Sequence, residues 1–205
     1  RVYLQEVMVP ALKRGEPEQA RMISSALGAQ DLTVTALGLS KGTGSQGLSA
    51  GVIEFHSLEA LRQAGRQKVK GRIVFLNRSP DQTHYNTFPA YGSAVDQRFH
   101  GPAEAAALGA VAVVVRSVTT ARHDHAHTGV MRIDPDGNNI PAVAVSPVGA
   151  DMLSQWLDTD PDLKLYLRTT SWQAPDAPSA NVIGEIRGTH FPEQIITVGG
   201  HLDAW

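Results

Sequence analysis

Hydrophobic and polar positions change period along this chain, and the changes mark out its elements. Val2-Tyr3-Leu4-Gln5-Glu6-Val7-Met8-Val9-Pro10 has strand character, and Lys13-Arg14-Gly15-Glu16-Pro17-Glu18 supplies turn residues before a second apolar segment over 20–27. Together they predict a hairpin. Asp31-Leu32-Thr33-Val34-Thr35-Ala36-Leu37-Gly38 predicts another strand. From residue 51 to about 167, strands over 52–55, 71–77, 111–116 and 140–145 alternate with helices over 58–64, 102–108 and 148–157, and an alternating strand over 163–170 closes the series. Ser57 caps the first helix, Pro102 opens the second before Gly109 stops it, and Ser146-Pro147 opens the third. This order builds a compact α/β unit. Gln173-Ala174-Pro175-Asp176-Ala177-Pro178-Ser179-Ala180 then reads as a Pro-rich return linker. Finally Ile195-Ile196-Thr197-Val198-Gly199-Gly200 reads as a short buried strand running out into a loop.

Composition narrows the classes. With 205 residues, 42% hydrophobic and 19% charged, the chain has apolar material for one core or two modest ones. A net charge of −2 and no basic cluster leave no electrostatic footprint for nucleic acid or an anionic membrane surface, so neither is expected as a partner. Zero cysteines exclude a disulfide framework and any thiolate zinc site. No apolar run approaches the ~20 residues of a membrane span. The start at Arg1, with neither Met nor a signal-like segment, is expected to be a processed or chosen boundary.

Candidate chemistry begins at His201 and Asp203. If the chain stays extended there, period-2 alternation puts both side chains on one face, where the carboxylate can orient an imidazole bound to a metal. Alone, His-x-Asp is a common tripeptide, and a surface loop after a strand is the better explanation of it. His123, His125 and His127, three of the eight histidines, are spaced by two and could face one way on an extended segment to bind zinc; the competing expectation is a solvated loop. Gly42-Thr43-Gly44-Ser45-Gln46-Gly47 matches the dinucleotide fingerprint, but a strand follows it where a helix would have to present its N–H groups to a pyrophosphate, so a flexible linker is expected. Asp134 and Asp136 flank Pro135 before Gly137, which is turn chemistry. Asn77-Arg78-Ser79 is a formal glycosylation sequon, weakened by Pro80. A serine nucleophile is not expected.

Ser179-Ala180-Asn181-Val182-Ile183-Gly184-Glu185-Ile186-Arg187-Gly188, then Phe191-Pro192-Glu193-Gln194, then the run into His201-Leu202-Asp203-Ala204-Trp205 resemble the co-catalytic zinc aminopeptidase and carboxypeptidase family, in particular its carboxypeptidase Q-like branch. Arg116-Ser117-Val118 and His127-Thr128-Gly129 resemble the same branch, while His123 and His125 fall outside its pattern. Gly71-Arg72-Ile73-Val74, the helix leading into Gly109-Ala110 and Ile140-Pro141-Ala142-Val143 resemble the protease-associated domain that this family carries as an insertion. The resemblance implies an α/β protein in which mixed β-sheets with short flanking helices, the protease-associated domain over 42–172, are inserted at the start of a zinc-peptidase α/β/α sandwich. Residues 1–41 and 173–205 would supply the first strands of that sandwich. It further implies that His201 is the first zinc ligand and Asp203 the acid that orients the site. The remaining ligands and the general base of a two-Zn2+ centre would follow Trp205, so this chain alone is expected to be inactive. Short peptides are the implied substrates, a homodimer of the full-length enzyme is allowed, His127 could line its substrate cleft, and a secreted or periplasmic location is expected. The alternative is a non-catalytic protease-associated module that recruits peptide or protein partners.

Overall fold

The computed structural model of the chain describes residues 1–13, 15–134 and 137–201. These fall into two compact units. One holds Arg1–Ala11 and the chain from Gln173 onward, and the other holds Leu12–Trp172.

The larger unit is built on one mixed sheet in the order β3-β2-β9-β5-β6-β7-β8-β4. Its middle is parallel: β5 (Leu48–Phe55), β6 (Ile73–Leu76), β7 (Ala112–Arg116) and β8 (Ala142–Val145) pair in sequence, with Phe75 opposite Val114 and Val114 opposite Val143. Every residue of β6 and β8 is buried, and so is β7 up to Val115. Parallel strands covered on both faces need apolar residues at every position, which is why these runs are continuous rather than alternating. Antiparallel strands flank them. β9 (Lys164–Arg168), β2 (Gln19–Ser24) and β3 (Gly28–Leu32) extend one side, and β4 (Val34–Ala36) pairs β8 on the other.

Five helices connect the strands. α1 (Leu58–Val69) starts where the Ser57 side chain accepts the Ala60 N–H, and Gly65 at φ +65° interrupts it one residue beyond the expected end at 64. α4 (Gly101–Ala107) opens with Pro102, and Gly109 at φ +84° follows its last turn. α5 (Pro147–Thr159) is capped by Ser146, whose hydroxyl accepts the Gly149 N–H at 2.9 Å. Two short helices, α2 (Thr87–Gly92) and α3 (Val95–Phe99), were not expected. The signal for α2 was Asn86, whose side chain accepts the Phe88 N–H. α5 covers the sheet face that carries Val52, Phe75, Val114 and Val145, and α1 and α4 cover the face that carries Val74, Val113 and Val115.

The structure corrects five expectations. The first strand, β1 (Val2–Lys13), does not form a hairpin with the 20–27 segment; β2 turns through Ser25-Ala26-Leu27 onto β3 instead. Alternation decides this, because Ala20, Met22 and Ser24 turn inward and make β2 a half-buried strand of the large sheet. Second, the Pro-rich stretch is not a linker. It lies in β10 (Trp172–Gly184), which pairs with β1 in a two-stranded sheet where Arg1 and Glu185 exchange backbone hydrogen bonds and Asn181 donates to Gln5. Pro175 and Pro178 are tolerated because a two-stranded ribbon leaves each strand an unpaired edge. Third, residues 195–198 form no strand and are exposed, Val198 to 92%. Among the described residues no strand lies beside them to pair with. Fourth, the 42–47 loop is held to the strand end after β9: Thr43 exchanges hydrogen bonds with Thr169, and a Cβ on Gly42 would sit 2.6 Å from the Ser171 carbonyl oxygen. An expected break at 41/42 lies inside the larger unit, since β2, β3 and β4 belong to its sheet.

Candidate functional site

Parallel strands bring polar groups to their carboxyl ends, where open α/β sheets bind ligands. Here Glu54 lies one residue before the end of β5, Asn77 directly follows β6 and Arg116 ends β7, and α5 returns over them with Asp151 and Ser154. The groups are joined into one network. Asn77 donates to Glu54 at 2.6 Å, Ser154 lies 2.9 Å from both Glu54 oxygens, and Arg116 reaches Asn77 at 3.2 Å and Asp151 at 2.7 Å. Arg122 closes the network on the other Asp151 oxygen at 3.0 Å. Burial pushes the Asp151 carboxyl up, but hydrogen bonds from Arg116 and Arg122 outweigh it and hold the group below the ordinary carboxylate range. Charges so paired fasten α5 to the strand ends; they leave no free acid or base aimed at a substrate. Because both ends of the Asn77 amide are engaged, the sequon at 77–79 presents no free acceptor.

Beside this network runs the segment that joins β7 to β8. Ser117, fully buried, donates to the Val145 carbonyl at 2.7 Å and accepts the His127 N–H at 2.9 Å. Asp124 takes hydrogen bonds from Ser146 at 2.5 Å and Thr33 at 3.2 Å, which ties the segment to the α5 cap and the start of β4. Thr128 then donates to the Ala36 carbonyl, and Gly129 and Met131 bond to Gly38, so residues 128–131 cover the outer edge of β4. An edge strand left open would invite pairing with other chains.

Two of the three clustered imidazoles meet within this segment. The Nε2 atoms of His123 and His127 lie 3.2 Å apart, and the His125 N–H points to His123 Nδ1 at 3.3 Å. The His125 ring is exposed, with its centroid 5.5 Å from that of His123. Burial lowers the His127 pKa, and the neighbouring His123 and His125 lower it further. Among the described residues no three His, Asp or Glu side chains converge to hold a metal ion. A metal-bound imidazole needs its other ring nitrogen to donate. His123 Nδ1 here accepts a backbone N–H, and the segment lies as a loop, the expectation favoured over a zinc face for 123–127.

His201 is exposed at the end of a stretch without regular structure, and Asp203 lies outside the described residues. One imidazole is not a zinc site, since catalytic zinc takes about three protein ligands. The Asp134 carbonyl accepts the Gly137 N–H; the expected turn at Pro135 and Asp136 lies outside the described residues. One motif escaped the sequence reading: Gly47-Leu48-Ser49-Ala50-Gly51 fits G-x-S-x-G. Ser49 lies within β5 opposite Tyr166, with no strand-to-helix turn to present its hydroxyl as a nucleophile.

Comparison with known proteins places this geometry. No family model matches the sequence. Carboxypeptidase Q of Xenopus laevis is 37% identical over 205 residues, the whole of this chain and 41% of that protein. The crystal structure of a Peptidase M28 precursor from Shewanella amazonensis superposes with a TM-score of 0.85 at 34% identity, over 92% of this chain and 42% of the other. A zinc aminopeptidase from Bacillus subtilis, 17% identical with a TM-score of 0.50 over 93% of this chain and 38% of its own, shares the fold. The chain thus spans about two fifths of the proteins it matches. Among the described residues no helix is long and apolar enough to cross a membrane.

Proposed function

The chain belongs to the carboxypeptidase Q-like peptidases, and on that premise we propose that it is part of a zinc-dependent exopeptidase acting on short peptides outside the cytoplasm. The observation that carries this reading is similarity over 92% of the chain, at a TM-score of 0.85 and 34% identity, to the Peptidase M28 precursor. His201 is then a zinc ligand and Asp203 the carboxylate that orients it. Bound zinc would supply a Lewis acid and a water activated at neutral pH. The further ligands would come from polypeptide beyond this chain. The protease-associated module is carried by the Leu12–Trp172 unit, whose sheet takes in strands from residue 19 onward. It serves as lid or substrate-binding element, and its polar links at the strand ends hold it rigid. His127 would face the substrate cleft of the whole enzyme, which would work as a homodimer.

Zinc content and dipeptide hydrolysis of the whole polypeptide test the reading. His201→Ala should lose both metal and turnover. Asp203→Asn should keep much of the zinc while activity falls ~10–100-fold, the usual cost of losing a group that orients a ligand. The 205-residue chain alone should be inactive. Full zinc and near-normal rates in both variants would defeat the assignment.

A further inference from the structure

The His123–His127 contact holds a single proton in a defined place. His123 Nδ1 accepts the His125 N–H, so a neutral His123 carries its proton on Nε2 and donates it to Nε2 of His127, which in turn carries its own on Nδ1. Every nitrogen in the pair is thereby committed. A second proton has two places to go, and each breaks a bond. On His127 Nε2 it sets one N–H against another across 3.2 Å, and on His123 Nδ1 it displaces the His125 N–H. Either way one ring becomes an imidazolium beside a neutral one, and protonation of both rings leaves two imidazolium ions side by side with no acceptor between them.

The surroundings do not offset that charge. On the segment itself, Asp124 is bonded to Ser146 and Thr33, and Arg122 and His125 add positive or ionisable groups. From α5 comes Asp151, already paired with Arg116 of β7 and with Arg122. Behind the segment, Arg98 of α3 packs against Gly129, where a Cβ would lie 2.4 Å from its guanidinium carbon, and Glu18 is bonded to the Ala36 N–H. No acid near the pair is uncommitted among these, and burial of His127 disfavours its charged form as well.

We propose that the His123–His127 hydrogen bond is an acid-operated latch, which at neutral pH closes residues 123–131 over the carboxyl ends of β7 and β8 and the edge of β4, and opens when both rings are protonated and no acceptor nitrogen is left between them. Opening exposes the Ser117 hydroxyl and the Asp124 contact to the α5 cap, and it uncovers the edge of β4. The sign follows from the position of the proton. The closed form disfavours the second proton, so latch stability is full above the ordinary imidazole range and is lost as pH falls through the lowered value for His127. The latch stands apart from the peptidase reading, since it requires neither zinc nor substrate.

Hydrogen exchange and histidine NMR on the protein test it. Between about pH 7.5 and about pH 5, the range in which imidazoles titrate, protection at the His125, His127 and Met131 amides, corrected for intrinsic rate, should fall roughly tenfold per pH unit while one proton is taken up. Val74 and Val113 in the core should be unchanged. His127→Gln, which can still accept from His123 but takes up no proton, should remove the pH dependence. The ring protons of His127 in the unaltered protein should titrate below the ordinary imidazole range. Titration of the His127 ring at the ordinary value of about 6.5 overturns the proposal whatever the variant does, and so does an equal loss of protection in His127→Gln.

Discussion

Val113-Val114-Val115 in the middle of the large unit and Ile195-Ile196-Thr197-Val198 near the end of the described chain are close to interchangeable in composition, yet their surroundings are opposite. The valines are fully buried between paired strands under helices on both faces, whereas Ile195, Ile196 and Val198 are all at least 86% exposed. The ribbon of β1 and β10 lies between these extremes: its backbone is paired, but Val2, Leu4, Met8 and Val182 remain exposed within it. A β-branched run fits a pleated sheet, but the preference becomes a strand only where neighbours accept its hydrogen bonds and cover its side chains. Two strands alone are marginal in water, which gives the ribbon less to lose than the eight-stranded sheet.

Substitutions can break or sharpen that contrast. The largest effect is expected at Phe75, fully buried against α5: Phe75→Ala should cost about 3–5 kcal/mol in urea unfolding. Ile196→Ala, at a site 91% exposed, should stay within about 0.5 kcal/mol. A cost above about 2 kcal/mol at Ile196, the range of buried aliphatic truncations, would mean that the tail is packed in solution and the contrast is false. A middle effect belongs to Ser146, which both caps α5 and donates to Asp124. Ser146→Ala should lower stability by about 0.5–2 kcal/mol, the usual cost of losing an N-cap. Loss of protection confined to the first turn of α5 and residues 123–127 would confirm that this hydroxyl serves both elements. The smallest effect concerns pH. Because the folded Asp151 carboxyl titrates below its unfolded counterpart, it adds stability above the ordinary carboxylate range that is lost as pH falls through the folded value. Melting temperature followed from neutral to strongly acid pH should therefore drop less steeply in Asp151→Asn than in the unaltered protein. Superimposable acid limbs would show that the Arg116–Asp151–Arg122 links contribute nothing to the packed unit.

Within the large unit, local signals placed the central strands and three of the helices. Ser57, Pro102, Gly109 and Ser146-Pro147 mark the ends of helices through chemistry of their own backbone and side chains, and the continuous apolar runs announce strands buried on both faces. The family resemblance was likewise legible, since it rests on residues in order. The site was less so. His123 and His127 stood out by spacing, but spacing alone shows neither that their Nε2 atoms meet nor that the His125 N–H reaches His123 Nδ1.

The sequence by itself determined the α/β alternation, the starts of α1, α4 and α5, the histidine cluster and membership of a peptidase family, because each is written in neighbouring residues. Only the tertiary structure decided that β1 pairs with β10 across more than 170 residues, that a Pro-rich stretch is a strand, and that Asn77 is locked between Glu54 and Arg116. Those outcomes depend on which partner a backbone or side-chain group finds. That choice is made by distant parts of the chain that must be brought together before any of their hydrogen bonds can form.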